Sequence, residues 1–200
     1  DVLAHAADGL HERFIDHPEI EAEVTSDLSA VYMKLGPYPE SLVQAEEAIT
    51  LLRGFLPPEH PKVVEAEFRR PELVGLTHQP EKSLELSTGA FARARVAYAD
   101  QPALMLGAIN RHGAALSRAG RHDDALAILR EGVALSETLG SNDKTVELSV
   151  LSILNWTAAS ERAKGNKDAL LPLATQIAER TNKLLGPAHE DSLAATSNLV

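Results

Sequence analysis

A segment of this chain recurs with a period of 42 residues, and no other feature restricts the accessible folds as strongly. Gly36 closes the run Val31-Tyr32-Met33-Lys34-Leu35 and is followed by Pro39-Glu40-Ser41-Leu42. Two periods on, Gly120 closes Leu116-Ser117-Arg118-Ala119 and is followed by Asp123-Asp124-Ala125-Leu126. His78, ahead of Pro80-Glu81-Lys82-Ser83-Leu84, stands midway between them, and Gly165 opens a fourth copy three residues late, Asn166-Lys167-Asp168-Ala169-Leu170. Self-similarity at this spacing marks a stacked solenoid, whose units cannot bury their apolar faces alone and build one elongated core by stacking. Such a chain is usually a surface for binding rather than a pocket for chemistry.

Composition agrees with helix packing as the source of the core. Hydrophobic residues make up 44% and aromatics only 4%, so close approach of Ala- and Leu-rich helices must do what large rings do elsewhere. The net charge is −10 and the pI about 5.2. An acidic surface repels phosphate backbones, which argues against nucleic acid and anionic membranes as partners. There is no cysteine, hence no disulfide framework and no thiolate chemistry. The longest apolar stretch, 146–159, is broken by Glu147, Ser149, Ser152, Asn155 and Thr157 and falls short of the about 20 residues that span a bilayer. The chain starts and stops inside helical pattern, so it is expected to be a piece of a longer protein, and no charged-then-apolar leader is present.

Turn chemistry converts the period into helix pairs. Pro39 and Pro80 follow a polar or Gly break closely, which places them at a helix start, where a missing N–H costs nothing. Asp123 and Asp168 hold comparable places and are expected to cap exposed amides. Leu42, Ala45, Ile49 and Leu52 recur at three- and four-residue steps, one face of a helix. Breaks at Pro57-Pro58, Asp100-Gln101-Pro102, Gly140-Ser141-Asn142 and Gly186-Pro187 end successive units. The pattern predicts helices at 2–15, 20–35, 39–55, 61–77, 80–97, 102–119, 123–138, 143–164, 168–185 and 190–200. Short connections between them imply antiparallel hairpins.

With these residues the chain resembles the tetratricopeptide repeat (TPR) family. The close-packed positions of that family's hairpin fall here on Tyr32, Gly36, Ser41 and Ala48; on Val74, His78, Ser83 and Ala90; and on Leu116, Gly120, Ala125 and Gly132. The fourth unit keeps Gly165 and Ala169 but carries Glu161 in place of the Tyr. Leu56-Pro57-Pro58-Glu59-His60-Pro61 and Leu185-Gly186-Pro187-Ala188-His189-Glu190 are similar to the interrepeat break of the kinesin-light-chain-like branch, whose units are 42 residues long. The resemblance implies an all-α fold, a right-handed α-solenoid of stacked antiparallel helix hairpins. It also implies one domain over 1–200, with a leader or capping helix at 1–19, repeats at 22–63, 64–105, 106–147 and 148–189, and the first helix of an incomplete fifth at 190–200. The opening segment, Asp1-Val2-Leu3-Ala4-His5 through Phe14-Ile15-Asp16-His17-Pro18-Glu19-Ile20-Glu21-Ala22-Glu23, is similar to the leader helix and Pro-Glu-Val/Ile link that precede such repeats in large bacterial signalling proteins with Ser/Thr kinase or winged-helix domains. Covering the apolar end of the stack explains that helix equally well. A cytoplasmic location is favoured slightly over a periplasmic one.

Catalytic signatures do not emerge. His11-Glu12 with His17 has a superficial metalloprotease look, but six residues separate the histidines where one helical face requires four. His60 and His189 occupy matching interhelix breaks, where capping explains them better than metal binding. His122-Asp123-Asp124 coincides with a predicted helix start and is read as a cap. There is no phosphate loop, calcium loop or nucleophile elbow, and no cofactor or metal is expected.

Binding has more support. In the resembled family the first helix of each unit lines the concave face, and residues at steps of about four share one helical stripe. That stripe holds Ser26, Ala30 and Lys34; Phe68, Glu72 and Leu76; Asn110, Ala114 and Arg118; Asn155, Ala159 and Arg162. Ser26, Lys34, Phe68, Asn110, Arg118, Asn155 and Arg162 are the candidate peptide-binding residues. Amides both donate and accept, which suits a peptide backbone, and the cations suit an acidic segment. The alternative is that these cations answer neighbouring carboxylates and the amides bond between helices. The expected function is a non-catalytic protein-interaction or sensory module; a self-association role, as a homodimer, and a small-molecule sensor are the alternatives. Pro71 falls inside a predicted first helix, where it removes a hydrogen bond and clashes with the preceding turn. Either the helix kinks and opens a notch beside Phe68, or the unit is locally degraded.

Overall fold

A computed structural model describes residues 9–139 and 143–197 of the 200-residue chain. All described elements are helical: α1 (Leu10–Phe14), α2 (Pro18–Leu35), α3 (Tyr38–Phe55), α4 (Pro61–Glu67), α5 (Arg69–Leu76), α6 (Pro80–Ala97), α7 (Pro102–Arg118), α8 (His122–Leu139), α9 (Lys144–Ala163), a 3₁₀ turn at Lys167–Ala169, α10 (Leu170–Leu185) and α11 (Glu190–Ser197). They divide into two compact units, with the boundary between Ala99 and Asp100. The break expected at 140–142, the first residues of the 2–15 helix and the end of the last helix lie outside the described residues.

The period that organises the sequence is the period of the turns. Gly36, His78, Gly120 and Gly165 all adopt positive φ, and His78, at 58°, is the one non-glycine among the described residues to do so. A left-handed residue reverses the chain at the helix end and lets the next amide reach back to an orphan carbonyl. Gln79 N–H reaches Val74 O, Arg121 N–H reaches Leu116 O, and Asn166 N–H reaches Glu161 O, each five residues back. The first turn lacks this bond because Pro37 follows Gly36 and has no N–H to give; there Gly36 N–H bonds to Tyr32 O instead.

In the first unit, α2 pairs with α3 and the broken helix α4–α5 pairs with α6, while α3 also contacts α4 and α5. Small residues let the hairpin close. Ser41 Oγ donates to Ser29 O at 2.7 Å and Ser29 Oγ donates back to Ser41 O at 2.8 Å. One period later Ser83 Oγ donates to Pro71 O at 2.6 Å. Ala22, Leu52 and Val63 form a buried cluster between repeats, and Leu10 of α1 packs on Leu28 and Tyr32 with Phe14 beside them. The Pro18-Glu19-Ile20 segment, expected as a link ahead of a helix at 20, is the first turn of α2, with Pro18 where its missing N–H is harmless.

Pro71 breaks its helix without degrading the repeat. The Glu67 carbonyl finds no N–H at position 71, and α4 ends at Glu67 while α5 begins at Arg69. Phe68 N–H is shared between Val64 O and Glu65 O, a tightened turn. Phe68, Leu73 and Val74 are nonetheless buried, Phe68 completely. The break is held from outside by Glu67, whose buried carboxylate accepts from Arg53 Nη of α3 and Arg93 Nε of α6, each at 2.5 Å.

In the second unit α8 contacts α7 and α9, α9 also contacts α7 and α10, and α10 contacts α11. Gly132 fills the position held by Ala48 and Ala90 in the earlier repeats. A Cβ there would lie 2.7 Å from Ile153 Cδ1 and 2.8 Å from Ile109 Cγ2, so α8 approaches both neighbours more closely than any side chain allows. Ser160 Oγ donates to Ser117 Oγ at 3.0 Å, and Arg180 pairs with Glu147 at 2.7 Å. Asp143 caps α9 by accepting from Thr145 N–H at 2.7 Å and, more weakly, from Val146 N–H. Asp168 does not cap as expected, because the shortened fourth turn places it within the 3₁₀ segment.

Candidate functional site

Each unit carries a pocket built the same way, from one first helix, the second helix behind it and the first helix of the following repeat. In the second unit the lining comes from α9 (Asn155, Ala158, Ala159, Arg162), from Lys167 of the 3₁₀ turn, from α10 (Leu170, Leu171, Ala174, Ile177), and from Ala195 of α11. The enclosed space is about 440 Å³. Its floor is apolar, with Leu170, Ala174 and Ile177 at helical steps, because the alanines of α9 leave room that larger residues would fill. Both charged residues of the lining, Arg162 and Lys167, are cations, and neither has an ion-pair partner among the described residues. Asn155 is exposed on the rim, its amide fixed by a 2.9 Å bond from Nδ2 to Leu151 O.

The sequence-predicted stripe divides accordingly. Asn155 and Arg162 come together in this pocket, with Ala159 between them. Arg118 is exposed, its guanidinium 4.6 Å above the ring of Trp156, the sole tryptophan. Asn110 is half-buried with its Oδ1 shut off from solvent and without a hydrogen-bond partner, so that acceptor does not face a ligand. In the first unit Ser26 lines a pocket of about 270 Å³ whose rim carries Glu19, Glu23, Asp27 and Glu65 against Lys62 and Arg69. Lys34 is exposed in the last turn of α2, outside that lining. Phe68 is corrected: it is a core residue, fully buried at the helix break, and lines neither a groove nor a notch. Stripe reasoning took first helices only and so missed Lys167, Leu170, Ala174 and Ile177; their steps of three and four were the available signal.

Two of the histidines cap helices. His60 Nδ1 accepts from Lys62 N–H at 3.3 Å and His189 Nδ1 from Asp191 N–H at 3.2 Å, matching caps in matching breaks. In the His122-Asp123-Asp124 group, Asp123 pairs with Lys164 and Asp124 with Arg121 at 2.5 Å. The Lys164 hydrogen bond, helped by its charge, holds the Asp123 carboxyl below its usual range. Among the described residues no group of three or more His, Asp or Glu side chains is arranged to hold a metal ion, and no helix is long and apolar enough to cross a membrane.

Among solved structures, a kinesin-light-chain-like protein of Podosopora anserina with nearly identical TPR-like repeats matches 92% of this chain and 84% of its own, with a TM-score of 0.72 at 21% identity. The fold is that of TPR-like repeat proteins. BtubC (BKLC) from P. vanneervenii carries the same TPR-like arrangement over 84% of this chain and 66% of its own, with a TM-score of 0.71 at 15% identity. A Rap protein complexed with competence and sporulation factor matches 90% of this chain and 62% of its own, with a TM-score of 0.58 at 16% identity. No family model matches the sequence, and no curated protein does so significantly.

Proposed function

We propose that this chain is a non-catalytic protein-interaction module whose second unit holds an acidic protein segment or peptide against α9 and α10. The observation that carries this reading is the convergence of Asn155 and Arg162, two residues of the stripe, with Lys167 over an apolar floor. Carboxylates would meet the two cations, an apolar side chain would enter over Ala159 and Ala174, and the Asn155 amide would bond the peptide backbone. The Rap structure, solved in complex with competence and sporulation factor, supports reading this fold as one that takes a binding partner. Larger bacterial signalling proteins, which the leader segment resembles, are the context in which we place the module.

Trp156 neighbours Asn155 in the chain and supplies the test. Titration with an amidated peptide rich in Asp, Glu and Leu is expected to change its fluorescence saturably, whereas the Asn/Gln counterpart leaves it unchanged. Arg162→Ala with Lys167→Ala should weaken binding by about tenfold or more, equivalent to about 1.4 kcal/mol per decade. Equal response to both peptides would refute the reading.

A further inference from the structure

The occupant of the basic pocket can be sought on the chain itself. Helix α3 packs into the first unit through Ser41, Gln44, Ala45, Ala48, Ile49 and Leu52. Its opposite side carries Glu40, Val43 and Glu47 at steps of three and four residues, so they form one stripe about two turns long. All three are exposed, Val43 at 60%, and neither carboxylate has an ion-pair partner among the described residues. An apolar side chain flanked by two unanswered carboxylates is the complement of an apolar floor flanked by two unanswered cations.

We propose that the second-unit pocket of one copy takes the Glu40–Val43–Glu47 face of α3 from a second copy, a helix laid in a groove. This rests on the reading of the pocket as a site for acidic segments and names one such segment. Donor face and acceptor pocket are different surfaces, so the contact is heterologous: each copy keeps one of each, and association continues beyond the pair unless a ring closes. The net charge of −10 opposes approach of two copies. The neutralising contact is therefore what directs them into this one register.

Sedimentation equilibrium of the full chain tests it. The wild-type weight-average mass is expected to rise above the 21.5 kDa monomer with concentration. Glu40→Lys/Glu47→Lys and Arg162→Glu/Lys167→Glu should each stay monomeric with unchanged helicity. Their equimolar mixture should associate again, because the intact pocket of the first variant meets the intact helix face of the second, and the two reversed surfaces also carry opposite charges. A milder Glu40→Gln/Glu47→Gln variant should also lose association, which guards against misfolding of the charge reversals. A wild type that stays monomeric, association that survives either reversal, or a mixture that fails to pair would overturn the proposal. The acidic-peptide titration on Glu40→Lys/Glu47→Lys, whose pocket is intact, separates the two ideas. Peptide binding by a chain that never self-associates leaves the pocket reading standing and removes only the second copy as its occupant.

Discussion

His78 is the residue at which the repeat pattern and the backbone disagree. The turn requires a left-handed conformation, supplied by glycine at 36, 120 and 165 and by histidine at 78. For a residue with a Cβ that conformation costs about 1–2 kcal/mol, against about 0.5–1 kcal/mol of extra entropy that glycine loses on folding. His78→Gly is therefore expected to raise the unfolding free energy by about 0.5–1 kcal/mol in urea denaturation; a loss would mean that the imidazole makes a compensating contact. The need for a special backbone at this position was legible in the sequence, because it occupied the frame of the other glycines. The role of Glu67 was not, since its partners Arg53 and Arg93 lie 14 and 26 residues away and no local pattern links them. Asp123 was misjudged for a related reason: a residue at a helix start was expected to cap it, but Lys164 from the neighbouring repeat takes the carboxylate. Its folded-state pKa lies below the ordinary 3.8. The resulting stabilisation is present above the unfolded pKa and is lost as pH falls through the depressed folded value. Lys164→Met should thus lower stability at neutral pH and flatten the pH dependence below about pH 4, with the Asp123 carboxyl returning to its ordinary range by NMR titration.

At the scale of the element, periodicity read helix positions well because each helix has one buried face and a defined stop. Pro18, Pro61, Pro80 and Pro102 are the first residues of their helices, as a missing N–H permits. The positions where hairpins close, Ser41, Ser83 and Ala125, are fully buried, and there residue size alone carried the signal. Two features were only partly legible. A kink was one of the two expectations for Pro71, but the break falls at Phe68, three residues earlier, since the strain of a proline falls on the turn before it and not on the proline itself. The candidate pocket was half legible: α9 contributes Asn155 and Arg162 as expected, but the other half comes from α10, whose apolar residues read equally as core. Only the departure of the alanines of α9 from close packing leaves α10 accessible there, and that is a property of the pair of helices.

At the scale of the whole molecule, repeat proteins draw stability from their own packing and from nearest neighbours, so a local loss should be felt locally. The chain carries its own reporters for this. Tyr32, Tyr38 and Tyr98 are its three tyrosines and all precede the boundary at Ala99, while Trp156, the sole tryptophan, follows it. Glu67 lies in the first unit, and its carboxylate satisfies two guanidiniums while being almost wholly buried. Glu67→Gln leaves shape intact but removes the charge, and Arg53 and Arg93 are only partly buried, so both remain able to reach water. The cost should be about 2–3 kcal/mol, below the about 3–5 kcal/mol of a fully buried pair broken on one side. In guanidinium unfolding the midpoint read by tyrosine absorbance is expected to fall clearly, while the midpoint read by Trp156 fluorescence falls less. Equal displacement of both signals would show that the chain unfolds as one cooperative body and that nearest-neighbour summation does not describe it.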